Sequence, residues 1–93
     1  MRKYETLVVL RPDLEEGNRN SIIEKFKEII SKEGEVTNIN EWGNKKLAYE
    51  IEKLREGYYI LVEYNAKTTL PKEFERNLKI NEEVLRYMTV NRD

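Results

Sequence analysis

The sequence predicts an α+β domain, a four-stranded antiparallel sheet carrying two helices on one face. Three observations lead there. Residues 41–64, EWGNKKLAYEIEKLREGYYILVEY, read as two amphipathic strands around a turn. Leu47, Tyr49 and Ile51 alternate with charged or small neighbours, and Tyr58 to Tyr64 is rich in aromatic and β-branched residues. Two further stretches carry apolar residues at helical spacing: Ile22, Phe26, Ile29 and Ile30 in one, Phe74 and Leu78 in the other. Short alternating runs lie outside both.

In chain order, the first strand is expected over residues 2–10, stopped by Arg11-Pro12-Asp13. A helix follows from Glu15 or Glu16 to Lys32, with acidic residues near its start to suit the dipole. Ser21 with Glu24 also resembles a capping box and would start it later, while Gly34 is placed as a C-terminal cap. A long second strand runs from about Val36 to Glu52, irregular near Trp42-Gly43. Lys53-Leu54-Arg55-Glu56-Gly57 reads as a polar connection, and Tyr58–Tyr64 as the third strand. Thr69 caps a short helix with Pro71 in its first turn. Asn81-Glu82-Glu83 turns the chain into a last strand, Val84–Arg92. The order is β-α-β-β-α-β. Its compact solution over residues 1–93, as a single domain, is the ferredoxin-like split βαβ fold, and right-handed crossovers give strand order 4-1-3-2.

Alternation then sorts side chains onto two faces. Tyr4, Thr6, Val8 and Leu10, with Tyr58, Ile60, Val62 and Tyr64, and with Leu85, Tyr87 and Thr89, carry no charge and belong under the helices. The other face collects Leu7, Val9, Tyr59, Leu61, Met88 and Val90 among Lys3, Glu5, Glu63, Arg86 and Arg92. Two small helices cannot cover both faces, so large apolar side chains rimmed by charge stay exposed, as at a partner site. Tyr59, Leu61, Met88 and Val90 are the candidate protein-binding residues. Trp42 is either a partner anchor or, the commoner use, a cover over the end of a core.

The composition excludes much chemistry. The chain has no Cys and no His, so thiol, disulfide and imidazole chemistry are absent. Its four glycines lie far apart and form no phosphate-cradling loop. Glu15/Glu16 and Glu82/Glu83 sit at element ends as solvated carboxylates. No enzyme activity, catalytic residue, cofactor, metal or small-molecule substrate is expected. No long apolar run spans a membrane, and MRKYETLVVL leads into a strand and not a signal peptide, so the expected location is cytoplasmic. Charged residues make up 38% of the chain, yet the net charge is −1. RNA binding must then rest on local clusters. Candidate RNA-binding cations are Arg2 and Lys3, Lys45 and Lys46, and Arg86 and Arg92. Arg2, Lys3, Arg86 and Arg92 can share a sheet edge, because strands one and four are neighbours. Neither central strand carries a glycine-aromatic base-stacking pattern, and only Tyr59 could stack.

The run Gly43-Asn44-Lys45-Lys46-Leu47-Ala48-Tyr49-Glu50-Ile51, followed by Gly57-Tyr58, resembles the central signature of the bacterial small-subunit ribosomal protein number six family. The likeness extends from Met1-Arg2-Lys3-Tyr4-Glu5 and Val9–Asp13 to Leu78–Glu82 and Val84–Val90. It departs at Glu50, where proline is common, and the chain stops at Asp93 without the longer tail of some members. The resemblance implies the ferredoxin-like fold and a structural role in the 30S subunit of the cytoplasmic ribosome. It also implies pairing with small-subunit ribosomal protein eighteen and joint binding of the central domain of the small-subunit (16S) ribosomal RNA. A near-neutral chain suits that arrangement, since a basic companion supplies most of the RNA electrostatics. The alternative from another class is a small ferredoxin-like regulatory or ligand-binding oligomer.

Overall fold

The computed structural model describes all 93 residues. Its elements are β1 (Arg2–Leu10), α1 (Glu16–Ser31), β2 (Gly34–Ile51), β3 (Leu54–Ala66), α2 (Leu70–Ile80) and β4 (Val84–Asn91). The sheet order is β2-β3-β1-β4, every neighbouring pair antiparallel, which is the expected 4-1-3-2 read from the other edge. No helix is long and apolar enough to cross a membrane.

One face holds the core. Ile22, Ile23, Phe26 and Ile30 of α1 and Leu70, Phe74 and Leu78 of α2 pack on Tyr4, Val8, Leu10, Ile60, Val62, Tyr64 and Ala66. Aromatic rings tie the layers together: Tyr4 stacks on Tyr64, while Phe74 meets both Tyr64 and Phe26 edge-on. The one fully buried polar residue, Thr6, sits at the sheet centre. Its hydroxyl shares hydrogen bonds of 2.9 Å with the Tyr64 hydroxyl and of 2.9 Å with that of Thr89. The chain of three hydroxyls satisfies groups that would otherwise be costly to bury. Burial pushes the Tyr64 phenol above its ordinary pKa, and the two threonine bonds oppose that only in part.

Several boundaries differ from the sequence reading. The β2–β3 turn is Glu52-Lys53, both at positive φ (50° and 68°), so β3 begins at Leu54. Gly57 lies within the strand. A Cβ there would overlap Val9 Cγ1, so the glycine answers a close approach and makes no turn. Gly34 opens β2, and Lys32 caps α1. Ser21 Oγ donates to the Gly17 carbonyl inside α1, so it caps nothing. Thr69 precedes α2, but its hydroxyl donates to Glu33 and not back to the helix. At the start of β4 the register shifts, so Val84 and not Leu85 opposes Leu10 and packs against the core. The irregularity expected near Trp42-Gly43 is present: Gly43 has φ +87° and the β2 register shifts between Glu41 and Gly43.

Candidate functional site

The face away from the helices follows from register. Leu7 opposes Leu61 and Met88; Val9 opposes Tyr59 and Arg86; Glu5 opposes Glu63 and Val90. Pairs directly opposite share a face, so all of these point away from the core. Tyr59 and Leu61 are half-buried, while Met88 and Val90 are 52% and 41% exposed, far more than a core position tolerates. The four candidate protein-binding residues therefore do share one surface. Toward the arm end of this surface lies a recess of about 260 Å³ lined by Leu7, Val9, Tyr59, Arg86, Tyr87 and Met88.

Two aromatics enlarge this surface beyond the sequence expectation. Trp42 stacks nearly parallel on Tyr59, the ring centroids 6.3 Å apart, and remains 43% exposed. It thus extends the open face and covers no core. The positive φ of Gly43 is the local signal, because the bulge brings Trp42 beside the partner of Gly43, Tyr59. Tyr49 comes from farther off. Past the Leu10–Tyr58 pair the β2–β3 hairpin has no β1 neighbour and projects as an arm. A further register shift between Lys46 and Ile51 bends it. The arm reaches back to the body: Arg11 Nη2 lies 3.0 Å from Glu52 Oε1, and Arg86 Nη1 donates to the Tyr49 hydroxyl at 3.3 Å.

The candidate cations divide into two groups at opposite ends of the sheet. Lys3, Lys45, Arg86 and Arg92 have the parity of the open face, whereas Arg2, opposite Ala66, and Lys46, opposite Glu56, have that of the helix side. Arg2, Lys3 and Arg92 lie together: the Arg92 amide donates to the Lys3 carbonyl and the Lys3 amide to Asp93. Arg2 lies 3.9 Å from Asp93 and Arg92 Nε 2.9 Å from Glu5 Oε1, so both guanidiniums already face carboxylates. Between these groups and Glu63 lies a polar recess of about 370 Å³. Arg86 sits six residues before Arg92, about 20 Å along the strand, at the arm end of the sheet. Lys45 and Lys46 oppose Gly57 and Glu56 on the arm and are exposed. Of the four cations expected to share a sheet edge, Arg2, Lys3 and Arg92 are brought together, while Arg86 lies at the other end of β4.

Half-buried Tyr58 stands apart, on the helix side. Its hydroxyl donates to Glu41 at 2.8 Å and its ring lies 4.4 Å from the Arg19 guanidinium. Burial, then the Glu41 carboxylate, raises its pKa against the opposing charge of Arg19. This assembly clamps α1 to the base of the arm.

The profile of the family described as Ribosomal protein S6 matches residues 3–91. The chain belongs to the ribosomal protein S6 family. The small ribosomal subunit protein bS6 of Alkaliphilus oremlandii is 49% identical over 90 residues, covering 97% of this chain and 96% of that one. The bS6 protein of Caldanaerobacter subterraneus is 48% identical over 94 residues, with 100% and 99% covered. The crystal structure of 30S ribosomal protein S6 from Thermotoga maritima superposes with a TM-score of 0.90 at 29% identity, covering 98% of this chain and 87% of that one. The S6 family is a structural, non-enzymatic constituent of the small subunit of the cytoplasmic bacterial ribosome. Family membership decides against the regulatory or ligand-binding oligomer.

Proposed function

We propose that this S6-family chain docks small-subunit ribosomal protein eighteen on its open sheet face, and that the pair binds the central domain of the small-subunit ribosomal RNA. Tyr59, Leu61, Met88 and Val90 form the protein-binding centre. Arg2, Lys3 and Arg92 at one end, and Arg86, Lys45 and Lys46 at the other, meet RNA phosphates. The observation that carries the reading is the asymmetry of the sheet. Both helices lie on one face, and the other keeps Met88, Val90 and Trp42 largely exposed around a recess. A net charge of −1 supports shared recognition, since phosphate binding needs more cations than this surface leaves unpaired.

Filter binding of a central-domain RNA fragment at fixed salt, with and without protein eighteen, tests the proposal. Binding should be weak for this chain alone and much tighter with the partner. Equal, tight binding in both cases would refute shared recognition.

A further inference from the structure

The arginines of this chain fall into two kinds. Five of the seven hold a carboxylate: Arg2, Arg11, Arg55, Arg76 and Arg92. Arg19 is half-buried, bonded to the Leu14 carbonyl and laid over Tyr58. Arg86 alone is exposed with no carboxylate in range. Yet it is tethered, because its Nη1 donates to the Tyr49 hydroxyl. The guanidinium carbon lies 5.8 Å from the Tyr49 ring centroid, at the outer limit of a cation–π contact, so the hydroxyl is the main anchor.

Tyr49 is 60% exposed, and the one hydrogen bond of its hydroxyl is with Arg86. Its place is set by the arm. Glu52, three residues on, is paired with Arg11. Leu47, two residues before, packs so closely over Gly57 that a Cβ there would come within 3.2 Å of it. A carboxylate at position 49 would also hold Arg86, but would cancel its charge. A phenol holds it and leaves the charge whole. An arginine immobilised without being neutralised has already lost the rotamer freedom that phosphate binding would otherwise cost.

We propose that Tyr49 is a positioning residue for Arg86, fixing an uncompensated guanidinium at the rim of the open face for an RNA phosphate. This rests on the RNA-binding reading above. In this role Tyr49 acts on RNA through Arg86.

The test measures affinity and salt dependence for the central-domain RNA fragment, with protein eighteen present. The proteins compared are the wild type, Y49F, Y49A, R86A and the Y49A/R86A double variant. R86A should weaken binding and make the salt slope shallower by about 0.7 to 0.9. Y49F and Y49A should each weaken binding by about two- to ten-fold, the size of one hydrogen bond. Their salt slope should not change, because the phosphate contact still forms. Y49A should add nothing in the R86A background. Affinity for protein eighteen without RNA should be the same for the wild type, Y49F and Y49A. A Tyr49 loss that persists in the R86A background, or that is seen with protein eighteen alone, overturns the positioning role while leaving Arg86 on RNA. No loss in Y49F and Y49A overturns it equally. An R86A variant silent in affinity and slope removes Arg86 from the RNA surface, and this proposal with it.

Discussion

The two faces of the sheet are built from the same four strands, alternating residue by residue, yet they answer to different constraints. Under the helices, position after position is sealed: Val8, Leu10, Ile60 and Val62 expose nothing, and the polar Thr6 is admitted only with both neighbours bonded to its hydroxyl. On the open face apolar side chains remain exposed and charges interleave with them. Val9 marks the boundary. It points to the open side but is 3% exposed, because β3 carries Gly57 against it. The covered face is organised by packing density and the open face by what it can receive. Substitution should therefore separate stability from binding according to face.

The largest effect is expected at Phe74→Ala, which removes the ring touching both Tyr64 and Phe26. It should cost about 3–5 kcal/mol of stability in urea unfolding, with partner affinity unchanged for the folded fraction. Loss of partner affinity without that stability loss would invert the assignment of faces. Thr6→Val keeps the shape but strands the Tyr64 and Thr89 hydroxyls. About 1–3 kcal/mol should be lost, and restoration by a second change, Tyr64→Phe, would show that the hydroxyl chain is the cause.

On the open face, Met88→Ala or Leu61→Ala should weaken the pair with protein eighteen by about 2 kcal/mol if either is a hot spot, measured by calorimetry. For exposed Met88 the stability change should stay below about 1 kcal/mol. Core-like destabilisation by both variants with intact partner affinity would show that this face packs against the chain itself.

A pH titration discriminates more finely. The fold favours neutral Tyr64, whose folded pKa is raised above 10.0 by burial. Its contribution is whole below the unfolded pKa and is lost as pH rises through the higher folded one. Stability should thus fall above about pH 10, and less steeply in Tyr64→Phe, with Tyr58 contributing in the same direction. An unchanged alkaline slope in that variant would remove Tyr64 as a cause. The smallest stability changes belong to Arg2→Ala and Arg86→Ala, about 0–1 kcal/mol for exposed groups. Both should lower RNA affinity and flatten its salt dependence, Arg86 more than Arg2 because Arg2 is already paired with Asp93. Equal effects would mean that the Asp93 pair opens at no cost when RNA binds.

The fold was legible because alternation and helical spacing are local. Tyr4, Thr6, Val8 and Leu10 could be assigned a face with no knowledge of their partners, and β-α-β-β-α-β order left one compact arrangement. The errors arose where a residue type has two uses. Gly57 looked like a turn glycine and is a contact glycine, whereas the real turn employs Glu52 and Lys53 in a conformation with no compositional signal there. Leu85 followed strict alternation, and a register shift gave its place to Val84. The site was legible as a surface and not as a network. The Arg92–Glu5 contact depends on β1–β4 register, and the Arg86–Tyr49 contact on the bend of an arm, neither of which periodicity encodes.

The strand order also has a consequence in time. β1 lies between β3 and β4, so the first strand synthesised must wait for both of its neighbours. Its first β3 partner, Tyr58, follows Leu10 by 48 positions. At ordinary elongation rates that interval is roughly 2–10 s. Meanwhile Thr6-Leu7-Val8-Val9-Leu10 is an uncharged, β-prone segment of the type that self-associates, with Glu5 and Arg11 at its two ends. Those flanking charges suit a gatekeeping role for the nascent chain, a task finished once β3 and β4 have paired on either side of β1.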